Sequence, residues 1–305
     1  MKMWMDARRE DVLDAPYFHL VFTVPDILNP IIYNNQKLLY DILYHAASAT
    51  ISELTADPKH LGADVGYICI LHTWGSEMNF HPHIHTILLG GGLTSKNEWK
   101  DNGTVFFLPI WAISKVFRGK YMDELKNLWN TNQLKFHGTA EKYSNHYAFK
   151  ELIDFCYDAY CKKTFNGAQS VIDYLGKYTH RIAISNHRII CMDDGNVTFS
   201  VKDYRNKGQW KELTLSGVEF IRRFLMHVPP KRFVRIRHYG LLCSRSKHKK
   251  LALCRNLLGC QKYLSKLRGK EMPEILKQLY EINICVCKSC GGHLGKPQLR
   301  KPQRC

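Results

Sequence analysis

The sequence predicts a fold of mixed helices and antiparallel strands, in the α+β class. Two apolar, β-rich runs, residues 66–74 and 81–89, are separated only by Gly-Ser-Glu-Met-Asn, which suits a hairpin. Residues 34–56 instead carry Leu38, Leu39, Ile42, Leu43, Ala46, Ala47, Ile51 and Leu54 at helical spacing. The regular strand–helix alternation that a barrel requires is missing.

In chain order, Pro16-Tyr-Phe-His-Leu-Val-Phe-Thr-Val is aromatic and β-branched and halts at Pro25, so residues 16–24 read as the first strand. The helix over 34–56 and the hairpin follow. Residues 111–130 and 147–165 have the pattern of helices that cover a sheet, and 170–178 form a further short helix. Residues 182–184 and 187–192 read as strand. Asp193-Asp194-Gly195-Asn196 is a strong turn signal, and 197–203 return as the partner strand. Ser216-Gly-Val-Glu219 has the spacing of a capping box and opens a helix through His227, which Pro229-Pro230 stops. Residues 273–281 form a last helix. The expected organisation is a core over 1–204, a basic, helical extension over 205–280 and a Cys-rich tail over 281–305.

The 305 residues hold 44 Lys and Arg against 27 Asp and Glu, a formal charge of +17. With 45% hydrophobic residues, this excludes a disordered, collagen-like or small disulfide-stapled chain. No apolar run approaches the roughly 18 residues of a membrane span, and residues 1–14 have no apolar signal region, so the cytoplasm is expected. The charge is uneven. Residues 1–90 carry 5 basic and 10 acidic side chains, whereas 220–270 carry 15 basic and no acidic ones. Within that block Lys231-Arg232-Phe233-Val234-Arg235-Ile236-Arg237 alternates cations with apolar residues, the pattern of a folded surface facing a polyanion such as nucleic acid. Seven of the 11 cysteines lie at or after Cys243, which favours reduced thiols and a zinc site over disulfides.

His81-Pro-His83-Ile-His85 places three imidazoles at alternate positions of a strand and hence on one sheet face, where two can share a cation. His19, in the middle of the first strand, would be the third ligand if that strand neighbours His83 and His85; His72 and His81 compete for the role. Tyr174 and Tyr178 stand at i and i+4, on one helix face about 6 Å apart, among Lys177, His180 and Arg181, which suit phosphate. The two features make one chemistry. A cation held by histidines polarises a phosphodiester oxygen, and a phenol displaces the 3′ oxygen in line to give a 5′-phosphotyrosine. A phenolate, with an aqueous pKa near 10, leaves more readily than a sugar alkoxide, so the joined strand stays energised for resealing.

These motifs resemble the HUH endonucleases. The blocks Pro16-Tyr-Phe-His-Leu-Val-Phe-Thr-Val-Pro25, Leu71-His-Thr-Trp-Gly75, His81-Pro-His-Ile-His85 with Gly90-Gly-Gly92, Tyr174-Leu-Gly-Lys-Tyr-Thr-His-Arg181 and Arg235-Ile-Arg-His-Tyr-Gly240 are similar, in order, to the IS-ninety-one-type two-tyrosine transposases. The resemblance implies a ferredoxin-like (RRM-like) antiparallel sheet with flanking helices. It also implies Mg²⁺ or Mn²⁺ on His83 and His85, nucleophilic Tyr174 and Tyr178, and nicking and joining of single-stranded DNA in rolling-circle transposition. Lys177, His180, Arg181, Arg222, Arg223, Lys231, Arg232, Arg235 and Arg237 are the expected DNA-binding residues. Such proteins usually carry a Cys-rich zinc module ahead of the segment resembling residues 5–25, so this chain is expected to lack it, and a DNA-binding remnant without catalysis is the alternative. In the tail, Cys287-Lys-Ser-Cys290-Gly is half of a zinc ribbon, for which Cys285, Cys305 and His293 are the neighbouring ligands that could complete a Zn²⁺ site.

Overall fold

A computed structural model describes residues 3, 6, 9–103, 106–156, 160–163, 183–203, 206 and 208–295, with residues 160–163 described as backbone. Contacts group Leu13–Cys260 into one compact unit and Met1–Val12 with Gln261–Cys305 into a second. Within the first unit, β1 (Tyr17–Thr23) leads through a short helix α1 (Asn29–Asn34) into α2 (Gln36–Ala56). Strands β2 (Asp64–Trp74) and β3 (Phe80–Leu93) form the expected hairpin, and the short β4 (Trp99–Asp101) folds back on the end of β3. Helices α3 (Ile110–Asn130) and α4 (His146–Phe155) follow. β5 (Tyr160–Lys163) then pairs with β1. A second hairpin, β6 (Ile189–Asp193) and β7 (Asn196–Asp203), is joined by β8 (Gln209–Ser216). α5 (Gly217–Leu225), β9 (Ile236–Gly240) and α6 (Lys247–Leu258) complete the unit. The second unit carries α7 (Met272–Tyr280).

The main sheet runs β5-β1-β3-β2-β9, with β4 on β3, and every pairing is antiparallel. This is the α+β architecture expected. Alternation along the central strands sorts their side chains by face. Phe18, Leu20 and Phe22 of β1, Ile84 and Leu88 of β3, and Cys69 and Leu71 of β2 point to one side, where they form a single buried cluster with Leu39, Leu43 and Ala47 of α2 and Phe117, Tyr121 and Leu125 of α3. The other side carries the histidines. The second sheet, β6-β7-β8, has its own small core of Val197, Phe199 and Val201.

Several expectations differ from what forms. The helix expected over 147–165 ends at Phe155, because the chain is needed as the strand that extends β1 outward. Ile182 lies outside the described residues, and 183–185 are irregular, the strand starting at Ile189. Strands β8 and β9 were not anticipated. Residues 236–240, assigned from sequence to the basic extension, are the edge strand of the main sheet. Tyr44 helps hold them there: its hydroxyl donates to the Arg235 carbonyl (2.5 Å) and accepts from the Leu71 amide (2.9 Å). The expected capping box is half formed. Ser216 Oγ accepts from the Glu219 amide, but the Glu219 carboxylate turns to Arg222 and Arg223 instead of back to the cap. The helix of residues 170–178 lies outside the described residues. Among the described residues, no helix is long and apolar enough to cross a membrane.

Gly240 closes β9 in the left-handed region, φ +56°, with its Cα so near Val65 that a Cβ would sit 1.8 Å from the carbonyl oxygen. Gly119, inside α3, has open space where a Cβ would go. The same substitution therefore has opposite signs at the two sites. Gly240→Ala should destabilise the protein by about 3 kcal/mol or more, and Gly119→Ala should stabilise it by roughly 0.5–1 kcal/mol. Urea unfolding of the two variants checks this; equal shifts would show that β9 is not docked as described.

Candidate metal centre and cleft

β3 lies between β1 and β2, and residues directly opposite one another in an antiparallel ladder share a face. His83 is opposite Thr23 on one side and His72 on the other; His85 is opposite Val21 and Ile70. His19 is opposite Ile87, one pleat further along the same face. The register thus brings imidazoles from three strands together on the side away from α2 and α3.

One nitrogen each of His72, His83 and His85 lies within 4.8 Å of the others, a set that could hold a metal ion. His83 Nδ1–H donates to the His81 carbonyl at 2.7 Å, which fixes the tautomer and leaves Nε2 with its lone pair toward the cluster. The Nε2 atoms of His83 and His85 are 3.0 Å apart. Such a pair is satisfied by a proton on His85 or by a shared cation. Burial pushes the His83 imidazole down to about 4 and His85 well below the ordinary range, the latter helped by the neighbouring His72, His83 and His19 rings. Neutral imidazoles are the state a cation needs. The donor set therefore fits a divalent ion.

His19, the expected third ligand, stands beside this set. Its Nε2 is 2.9 Å from His85 Nδ1 and the two rings stack at 5.0 Å, while His72 occupies the third position of the convergent trio. Burial holds His19 down to about 4 as well. His81 turns to the rim: its Nδ1 is 3.0 Å from Asp26 Oδ1 and its Nε2 3.3 Å from Thr23 Oγ1.

On the open side of the cluster, Trp74 stacks on His72 (4.7 Å, 18°), and the Arg235 guanidinium lies 5.4 Å from the Trp74 ring centre. Here begins a cleft of about 1130 Å³ between the histidine face and the second sheet, with Asn79, Arg188, Lys202, Trp210 and Lys211 along its walls. The β2–β3 turn ties the two walls. Arg188 Nη2 donates to the Ser76 carbonyl (2.5 Å), the Lys202 amide to Ser76 Oγ (2.5 Å), Arg223 Nη1 to the Glu77 carbonyl (2.9 Å) and His227 Nε2 to the Met78 carbonyl (3.0 Å). Met78 itself is fully buried in the core of the small sheet.

The expected DNA-binding residues fall into distinct settings. Arg222 and Arg223 both grip Glu219, whose carboxyl they hold down to about 2. Arg237 points to the helix-covered face, 2.5 Å from Asp41 and over the Tyr44 ring at 4.0 Å. Lys231 and Arg232 are exposed, and Arg235 is half-buried beside the cleft. Tyr174, Tyr178, Lys177, His180, Arg181 and Cys305 lie outside the described residues. Ala183–Ser185, the next described residues in the chain, line the cleft.

In the second unit, Cys287 and Gly292 form a tight turn (Cys287 amide to Gly292 carbonyl, 2.9 Å), and Val286 bridges His293. The backbone amide of Cys290, then that of Ser289, and the Cys290 side chain lower the Cys287 thiol, as a knuckle does. Among the described residues, Cys285, Cys287, Cys290 and His293 do not form a set of three converging ligands. Sequence alone left His72 as one competitor among three and did not point to Asp26, Arg188, Lys202 and Trp210 as residues lining the same cleft. The Trp74-adjacent block Leu71-His-Thr-Trp-Gly75 was the available signal for His72.

Residues 66–250 match the Y2_Tnp family model, described as "Putative transposase". Over 261 residues the chain is 41% identical to "Putative transposase y4qJ" of Sinorhizobium fredii, an alignment covering 84% of this chain and 66% of that relative. It is 30% identical over 258 residues to the transposase for insertion sequence element IS801 of Pseudomonas savastanoi pv. phaseolicola, covering 79% and 58%. The chain thus spans between 58% and 66% of the length of these curated relatives. A solved structure of the conjugative relaxase TrwC in complex with oriT DNA aligns over 80% of this chain and 71% of that one, at 12% identity and a TM-score of 0.29.

If His72, His83 and His85 hold the ion and His19 only orients His85, their losses differ in kind. Alanine at any of the three should weaken Mn²⁺ binding at least 100-fold. His19→Ala should cost about tenfold, as losing a hydrogen-bond partner of a ligand does, and His19→Gln should recover most of it. Calorimetric titration with Mn²⁺ measures this. A His72→Ala protein that binds as wild type, with His19→Ala weakened 100-fold or more, would return His19 to the third position.

Proposed function

Because the chain belongs to the Y2_Tnp transposase family, we propose that it nicks and rejoins single-stranded DNA during rolling-circle type transposition, with Tyr178 and Tyr174 as nucleophiles. The observation that carries this is the convergent trio of His72, His83 and His85, which lines the cleft and lies inside the family-matched segment. The next described residues after the two tyrosines line the same cleft. A divalent ion, Mg²⁺ or Mn²⁺, held on the trio would supply the Lewis acidity that draws charge from a phosphodiester oxygen.

The chain's own groups do the rest. The His81 carbonyl and His19 fix the His83 and His85 rings. Trp74 closes the lateral side of His72 and keeps water from its ring face. A tyrosine oxygen forms the new bond to phosphorus as the bond from phosphorus to the 3′ oxygen breaks. The phenol's proton is released and the 3′ oxygen leaves as a hydroxyl after taking one up. The second tyrosine would allow a second cleavage before the first adduct is resolved. The cytoplasm, where DNA is reached, is the compartment this activity needs.

The adduct is the test. Protein incubated with single-stranded DNA from the element's ends and Mn²⁺ should yield a covalent species stable in detergent. Tyr174→Phe, Tyr178→Phe together should abolish it, and His83→Ala should reduce its rate by about 100-fold or more. An adduct that persists in the double variant would sink the tyrosine assignment. DNA binding in a gel with no adduct from the intact chain would establish the non-catalytic remnant instead.

A further inference from the structure

We propose that Trp210 and Lys202 form a stacking platform at the rim of the cleft that holds an unpaired nucleotide of the substrate strand. This rests on the reading of the cleft as a single-strand DNA site and adds the residues that discriminate unpaired from paired DNA.

The argument begins with the alternation of the small sheet. Lys202 and Trp210 are cross-strand partners on β7 and β8, followed on the same face by Ser200 with Glu212 and Thr198 with Thr214. That face looks away from the sheet's core, which Val197, Phe199, Val201, Leu213 and Leu215 fill from the other side. Polar residues belong at the outward positions, and Trp210 is the exception. It is 61% exposed, so it contributes little to folding, yet it lines the cleft.

The charge beside it is arranged for an anion. Two carboxylates that line this part of the cleft, Glu77 and Asp203, are both bridged by Lys211, at 3.3 and 3.4 Å. Lys202 Nζ forms no ion pair among the described residues and stands 5.8 Å from the Trp210 ring centre. An exposed indole with an ammonium over one side of the ring matches a nucleotide whose base stacks on the other side and whose phosphate is paired. A duplex keeps its bases stacked on each other and cannot offer a π-face, so the pair selects single strands. The backbone of Lys202 is bonded to the β2–β3 turn, which fixes the platform relative to the histidine trio.

The test uses the full chain without divalent ion, so that no cleavage is needed. A fluorescein-labelled oligonucleotide of mixed sequence, single-stranded or annealed to its complement, is titrated by anisotropy. Trp210→Ala should weaken single-strand binding tenfold or more and leave duplex binding within twofold; Trp210→Phe should stay within about threefold of wild type. Lys202→Ala should lower the salt dependence by about one counterion. Trp111→Ala, at a site 72% exposed on α3 and outside the cleft, should change nothing. Unchanged single-strand affinity in Trp210→Ala, or an equal loss for both DNA forms, would overturn the platform. Failure of the adduct assay with this binding pattern intact would overturn only the nicking chemistry.

Discussion

The site exists because β3 pairs in one register with β1 and β2 at once. Side chains on a strand change face at every residue, so a slip of one position would turn His83 and His85 into the helix-packed core and Ile84 into the cleft. The cost of that error is what protects the register. It would place imidazoles among Phe22, Leu71 and Phe117 without polar partners and expose aliphatic side chains in exchange. The β2–β3 ladder is also pinned mechanically near its far end. At Gly92 a Cβ would lie 2.3 Å from the Asp64 carbonyl oxygen, so the strands close there only around a glycine. The Gly90-Gly-Gly92 block beside the histidine motif is therefore part of the site's construction although it is remote from any ligand atom.

The same hairpin sets the width of the cleft. Its turn, residues 75–79, does not hang free in solvent. Four donors, from the turn before β6, from β7, from α5 and from the segment after it, meet turn acceptors, and Met78 is buried among Val197, Phe199 and Val201. Each such bond contributes about 1 kcal/mol, more for the guanidinium donors, and together they join strand β3 to the opposite wall. Glu219 serves this purpose as well. By holding Arg223 through Nε it aims Nη1 at the Glu77 carbonyl and Asn79, so an ion pair on the surface of α5 positions the turn.

Much of this frame was legible in the sequence because it rests on local patterns. The aromatic run before Pro25, the helical spacing over α2, the hairpin around Gly-Ser-Glu-Met-Asn and the Asp-Asp-Gly-Asn turn each specify their element within a short window. The alternate histidines fixed which residues share a face. What sequence could not decide was set by pairing between distant segments. Whether His19 or His72 joins His83 and His85 depends on which neighbour lies opposite which residue: His72 faces His83 directly, whereas His19 faces Ile87. β9 was hidden because its residues alternate cation and apolar side chains as an exposed DNA surface would. The alternation in fact distributes Arg237 to the Tyr44 face and Ile236 to the other. Trp210 was missed because β8 itself was not recognised as a strand.

The excess of positive charge takes on a different meaning in three dimensions. The block over 220–270 holds 15 cations and no acid, but the fold brings acids to it from elsewhere in the chain: Asp41 to Arg237 and Asp64 to Lys250, while Glu219, just before the block, takes Arg222 and Arg223. The pairs of Asp41 and Asp64 draw on the acidic excess of the first ninety residues. A cation already facing a carboxylate has little attraction left for a phosphate, since the pair is neutral beyond a few ångströms. Among the described residues, Lys231 and Arg232 lie exposed on the surface, Arg235 lies over the Trp74 ring and Lys202 over the Trp210 ring. Both of those rings line the cleft. On the proposed reading of the cleft as a DNA site, rings and cations side by side suit a strand whose bases and phosphates are both within reach, and an unpaired strand is the form of DNA that offers them together.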